Sequence, residues 1–239
     1  MKKKILKILL VIVIALTAAV SVFLYRGYHC YQETVGKYPI ADAVSSYTSK
    51  SDYTPYDEID QDFVNAVVSV EDKRFFTRDG FDWIALARAI INNTINQKLL
   101  EGGSTISQQI AKNLYYQNTS RGLNEKIAEV FIMNDLENQY SKEDLFALYA
   151  NMNYYGDGYY GIEAAAQGYY GVSASNLTLG QSAMLAGIPN APGAYQLSTG
   201  YDLAVERQHK VLRLMLANDY IDEDQYNEAL NEDVHPVSK

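Results

Sequence analysis

Glu71-Asp72-Lys73-Arg74-Phe75, Gly102-Gly103-Ser104-Thr105-Ile106-Ser107-Gln108-Gln109-Ile110-Ala111-Lys112 and Lys126-Ile127-Ala128-Glu129 mark out the stretch from residue 71 to residue 129. Two carboxylates, Glu71 and Glu129, bracket a glycine pair that runs into a helix. Gly102 and Gly103 permit backbone angles and close approaches that a Cβ forbids. Ser104 and Thr105 follow as N-cap candidates, and Thr105 to Gln108 has the spacing of a capping box. A helix N-terminus offers unpaired N–H groups and partial positive charge, which suit an anion. Gln108 and Gln109 precede Lys112 by four and three residues, so all three share a face. Ile106, Ile110 and Leu114 mark the opposite, buried face. Such a stretch suits a phosphate-bearing substrate and acid/base chemistry. Taken alone, the glycine pair reads first as the flexible turn before a capped surface helix. It is not a phosphate loop of the Walker type, because no Gly-Lys-Ser/Thr follows.

Composition narrows the chemistry. The 239 residues and 48% hydrophobic content support one domain of ordinary size. Five of the 20 lysines and arginines precede residue 31 with no acid among them, leaving 15 against 29 acidic residues. That balance disfavours nucleic acid, which calls for a basic face. One cysteine, Cys30, excludes an internal disulfide. The three histidines, His29, His209 and His235, lie outside the central stretch. This argues against a Ser-His-Asp or Cys-His nucleophile and against a His-ligated zinc site. Carboxylates are left to carry any reaction. The 21 tyrosines suit carbohydrate and suit a core equally well.

Outward from the centre, Lys2, Lys3, Lys4 and Lys7 precede a nearly pure apolar run over residues 8–25. The run is close to the length that crosses a bilayer, and the positive flank places the N-terminus in the cytoplasm. A cleaved signal peptide is the rival reading, on the small residues between Ala15 and Ala19. The domain plan is therefore a basic tail at 1–7, an anchor at 8–25, an extracytoplasmic stalk at 26–54 and a globular domain at 55–239. Phe63, Ala66, Val67 and Val70 predict a helix that delivers Glu71 near its C-terminus. Trp83, Leu86, Ala87, Ile90 and Ile91 predict another. Asn118 to Gly122 reads as a turn before a helix with Ile127, Val130, Phe131 and Asn134 on one face. Leu145, Leu148, Tyr149 and Met152 form the face of the next helix, capped from Ser141 to Asp144. Residues 151–161 read as a glycine- and tyrosine-rich loop. Thr178 to Gln181 and Asp222 to Gln225 cap later helices, with Pro189 and Pro192 as breakers between them. No β-alternation supports a sheet. The fold class is mainly α on one N-terminal transmembrane helix.

Several motifs stand in order: Glu71 to Phe75, Gly102 to Lys112, Lys126 to Glu129, Tyr149-Ala150-Asn151 with Gly156, Ala164 to Gly171, and Ala183 to Pro189. Together, over residues 55–220, the chain resembles the peptidoglycan glycosyltransferase (transglycosylase) family of penicillin-binding proteins. No Ser-x-x-Lys, Ser-x-Asn and Lys-Thr-Gly set is present, so it resembles the monofunctional type. The resemblance implies a lysozyme-like, two-lobed helical domain that polymerises lipid II outside the cytoplasmic membrane of a bacterium. It implies Glu71 as general base for the acceptor 4-hydroxyl in one inverting displacement, releasing undecaprenyl pyrophosphate and leaving a β-1,4 link. Glu129 is implied as the second essential carboxylate, with a divalent metal, Mg or Mn, as an optional partner; no other cofactor is called for. Lys112, Arg121 and Lys126 are implied as countercharges to the leaving pyrophosphate. Asp72, Phe75, Gly103, Ser104, Gln108, Gln109 and Asn151 complete the implied substrate contacts. Implied partners are lipid II and the growing glycan, the membrane, penicillin-binding transpeptidases and divisome or elongation proteins.

Three positions depart from the family pattern. Arg78 replaces a histidine, Glu125 stands where a basic residue commonly precedes Lys126, and Ala147 stands where an acid is common. Two rival functions follow from the same residues. A lytic hydrolase on the same glycan would need a protonated carboxyl and, in most families, a second flanking carboxylate. A catalytically weak membrane scaffold would tolerate Glu71→Gln.

Overall fold

The computed structural model describes residues 2–78, 105–117 and 121–237. Among these, regular structure is helical, and the lone β-feature is a bridge between Tyr154 and Tyr160. Among the described residues eleven α-helices run in order: α1 (Lys2–Lys37), α2 (Ile40–Thr48), α3 (Gln61–Glu71), α4 (Ile106–Tyr115), α5 (Leu123–Gln139), α6 (Lys142–Met152), α7 (Ile162–Tyr170), α8 (Leu179–Gly187), α9 (Pro192–Tyr195), α10 (Tyr201–Ala217) and α11 (Glu223–Leu230). The expected helix at Trp83 to Ile91, Gly102, Gly103, Ser104 and the first three turn residues from Asn118 lie outside the described residues.

α1 is long and apolar enough to cross a membrane, and its apolar window is wholly exposed on the protein. At 1.5 Å per residue its 36 residues span about 54 Å, well beyond the roughly 30 Å of a hydrocarbon core. The excess is built into the domain, which corrects the expected stalk at 26–54. Tyr28 and Tyr31 pack on Phe131 of α5, with ring centroids 5.2 and 5.6 Å away. Gly27 lies so close to α5 that a Cβ there would sit 2.3 Å from Ile127. Tyr31 donates to Asp135, and Thr34 shares a hydrogen bond with Tyr116. α2 then buries Ile40, Ala43 and Val44. Its period was present in the sequence but short.

The four capping boxes expected from spacing all form: Thr105 with Gln108, Ser141 with Asp144, Thr178 with Gln181, and Asp222 with Gln225. Each satisfies a donor that a helix start leaves unpaired. α5 has two working faces. Ile127 and Phe131 meet α1, while Ala128, Ile132, Met133 and Leu136 enter the core. α6 buries Leu145, Leu148, Tyr149 and Met152 as expected.

The heaviest packing falls into two groups. α3, α8 and α10 pack on one another, with α11 against α10. α1, α4 and α5 form the second group, with α6 against α4. Phe63, Val67, Phe146 and Tyr155 belong to one continuous core that runs through both. Glu71, the last residue of α3, reaches from the first group to the second.

Candidate active site

Glu71 ends α3 with its side chain 16% exposed. Its Oε2 accepts a 2.7 Å hydrogen bond from Gln109 Nε2 of α4. Its Oε1 lies 3.6 Å from Arg207 Nη2 of α10, an ion pair too long to be a hydrogen bond. Tyr149 of α6 is fully buried nearby. Burial first, then the charge of Glu71, raises its phenol well above the ordinary value, so it stays neutral. The Thr105–Gln108 box fixes the start of α4 and hence the angle at which Gln109 meets Glu71. Lys112 follows Gln109 by one turn on the same face. Among the described residues Lys112 has no carboxylate partner.

The second carboxylate is also held. Glu129 is 9% exposed, and its Oε1 accepts a 2.6 Å bond from Arg121 Nη1. Lys126 lies exposed on the first turn of α5 and, among the described residues, has no carboxylate partner. Glu125 accepts from the Gly122 N–H at 2.9 Å, so this departure from the family pattern serves the start of α5. Ala147 is buried, and its carbonyl accepts from the Asn151 amide.

Three expected substrate contacts face protein instead. Phe75 is fully buried. Asn151 spends its side chain on the backbone of Thr54, accepting from its N–H and donating to its carbonyl. Asp72 is 6% exposed; its Oδ2 accepts from Arg78 Nη2 at 2.8 Å and from the Ile106 N–H at 3.3 Å. Arg78 also donates to Glu137 Oε1 at 2.8 Å, and Ser107 donates to the same oxygen. Lys142 completes the group at 3.0 Å from Glu137 Oε2 and lies over the Phe75 ring. Two cations and two carboxylates thus offset one another in a largely buried patch beside Phe75. Arg78, at the position where the resemblance leads one to expect a histidine, is the bridge of that patch. Burial pushes the Glu137 carboxyl up, but Ser107, Lys142 and Arg78 outweigh it and hold it below the usual value.

A family model described as Transglycosylase matches residues 38–216. The chain belongs to that family. As a transglycosylase it is a glycosyltransferase enzyme. It is 40% identical over 179 residues to penicillin-binding protein 1A of Aquifex aeolicus, covering 75% of this chain and 24% of that protein. It is 36% identical over 198 residues to a monofunctional glycosyltransferase of Staphylococcus epidermidis, covering 80% of this chain and 73% of that one. The chain thus spans about a quarter of the first relative and nearly three quarters of the second. Among solved structures it aligns with penicillin-binding protein 1A of Haemophilus influenzae at TM-score 0.39 and 27% identity, over 56% of this chain and 17% of that one, too loosely to carry an argument. The family model begins within the segment expected as a stalk, in keeping with the packing of α2 on the domain.

Of the expected site residues, the transglycosylase brings together Glu71 with Gln109 and Glu129 with Arg121. Gly103 and Ser104 fall outside the described residues. Sequence reading missed Arg207, Glu137 and Lys142. A signal existed for Arg207: it sits three residues after Ala204 and four before Val211, a cation on an otherwise buried helix face. A divalent metal fits poorly. One Glu129 oxygen is already engaged by a guanidinium, and among the described residues no cluster of three His, Cys, Asp or Glu side chains is suited to a cation.

Proposed function

We propose that this transglycosylase polymerises lipid II into β-1,4-linked peptidoglycan strands and releases undecaprenyl pyrophosphate, with Glu71 as general base. The observation that carries the reading is the Glu71 carboxylate, hydrogen-bonded at one oxygen, near a guanidinium at the other and only partly exposed, with Lys112 one turn beyond its Gln109 partner. The names of the relatives, a monofunctional glycosyltransferase and penicillin-binding protein 1A, support the same polymer. In the proposed step the acceptor 4-hydroxyl oxygen bonds to the donor anomeric carbon and its proton passes to Glu71. The bond from that carbon to the pyrophosphate oxygen breaks with its electron pair, so an α-linked donor gives a β-linked product. A positioned base of this kind contributes roughly 10²–10⁴-fold. Lys112, Lys126 and Arg121 offset the charge gathering on the leaving pyrophosphate, where preorganised cations act most strongly. Arg121 also holds Glu129, coupling that carboxylate to the leaving-group end.

α1 anchors the enzyme in the cytoplasmic membrane of a bacterium. The lysines at its start favour an inner N-terminus, leaving the domain on the outer face beside lipid II. Penicillin-binding transpeptidases are the partners that would cross-link the product.

The test is purified, detergent-solubilised protein with labelled lipid II. Undecaprenyl pyrophosphate should appear in step with new β-1,4 linkages, read by magnetic resonance of the glycan. Intact lipid II, with soluble fragments released from purified cell wall instead, would replace the polymerase by a hydrolase.

A further inference from the structure

We propose that Arg207 is a positioning residue for Glu71, holding one carboxylate oxygen while Gln109 holds the other. This rests on the reading of Glu71 as general base. A carboxylate has about four acceptor sites and turns readily about its last torsion. Gln109 engages Oε2 at 2.7 Å from α4, and Arg207 approaches Oε1 at 3.6 Å from α10. Two helices from different packing groups therefore meet the two oxygens, one with a hydrogen bond and the other with a guanidinium charge, and together they bias the orientation of the group.

Arg207 itself argues against a purely architectural role. Its side chain is only 10% exposed, and Glu71 is its carboxylate partner among the described residues. A guanidinium taken this far out of water is costly unless it is paired, so its place here depends on the charge of Glu71. The fold also makes room for this side chain. Gly187, at the end of α8, has ordinary helical angles, with φ −77, so conformational freedom does not account for it. A Cβ at Gly187 would instead stand 2.8 Å from Arg207 Cγ. The glycine lets the arginine stem pass on its way to Glu71.

The experiment compares lipid II polymerisation by wild type, Arg207→Ala, Arg207→Lys, Gly187→Ala and Glu71→Gln, with folding checked by circular dichroism. We expect Arg207→Ala to lose about 10²-fold in kcat, the cost of a carboxylate displaced by about 1 Å, with KM little changed. Arg207→Lys should recover part of the loss. Guanidinium chloride far below denaturing strength should restore part of the Arg207→Ala rate, whereas equal urea should not. Gly187→Ala gains a better helix former and keeps the guanidinium, yet should lose about tenfold or more in kcat by pushing it aside. This variant decides the matter if Arg207→Ala does not fold. Wild-type kcat in the folded Arg207 and Gly187 variants, with Glu71→Gln inactive, would overturn the proposal and leave the base intact. A loss confined to KM would make Arg207 a substrate contact and overturn it as well. An active Glu71→Gln would remove the base, and this proposal with it.

Discussion

Arg78 bridges two buried carboxylates. Asp72 and Glu137 both depend on its guanidinium, whose planar fork can serve two acceptors at once. Arg78→Ala should therefore cost about 3–5 kcal/mol of stability, because uncompensated buried charge is far more harmful than a missing pair. Thermal or urea unfolding reads this directly. Glu137 adds a pH dependence of fixed sign. Its folded pKa lies below the usual value, so its contribution is present above the unfolded pKa of about 4.3 and fades as pH falls through the lower, folded one. Unfolding followed from neutral to acid pH should show that limb, and Glu137→Gln should flatten it. The replacement of the family histidine by Arg78 is thus understandable from its partners. The pairing with Glu137 was not visible beforehand, because that residue lies 59 positions further along the chain.

α1 and α5 show what an element gains from a single small residue. Gly27 lies against Ile127 at a separation that admits no Cβ, and Tyr28, Tyr31 and Phe131 close the same seam. Gly27→Leu should overpack the seam and cost about 1–3 kcal/mol. Differential scanning calorimetry of the full chain in detergent should find a fall in Tm of roughly 2–4 °C per kcal/mol. Local signals of this scale were the readable ones. All four capping boxes and the buried faces of α3, α4 and α6 follow from spacing within a turn or two. The helical nature of residues 26–48 did not, since a polar surface hides the short pattern of Ile40, Ala43 and Val44. The same contrast divides the site. Glu71 and Gln109 were legible from motif, but Arg207 comes from a distant helix, and its approach depends on Gly187, a glycine whose purpose is evident only in three dimensions.

Across the whole molecule, one apolar helix continues into the domain, and the domain holds its candidate base where two groups of helices meet. On the proposed function, this continuity would hold the candidate base close to the membrane, where a sugar head carried on a lipid tail would stand. The charge patch beside Phe75, through the bond from the Ile106 N–H to Asp72, and the capping box of α4 both fix the start of the helix that carries Gln109. If the placement has the purpose proposed, removing the carboxylate should end polymerisation while sparing the fold. The most direct measurement is glycan synthesis from labelled lipid II by the purified full chain beside Glu71→Gln, with chain length resolved on gels and Tm taken for both proteins. The account predicts long glycan from the wild type, and from the variant a rate about 10²–10⁴-fold lower at similar Tm. Equal glycan from the two proteins would contradict it.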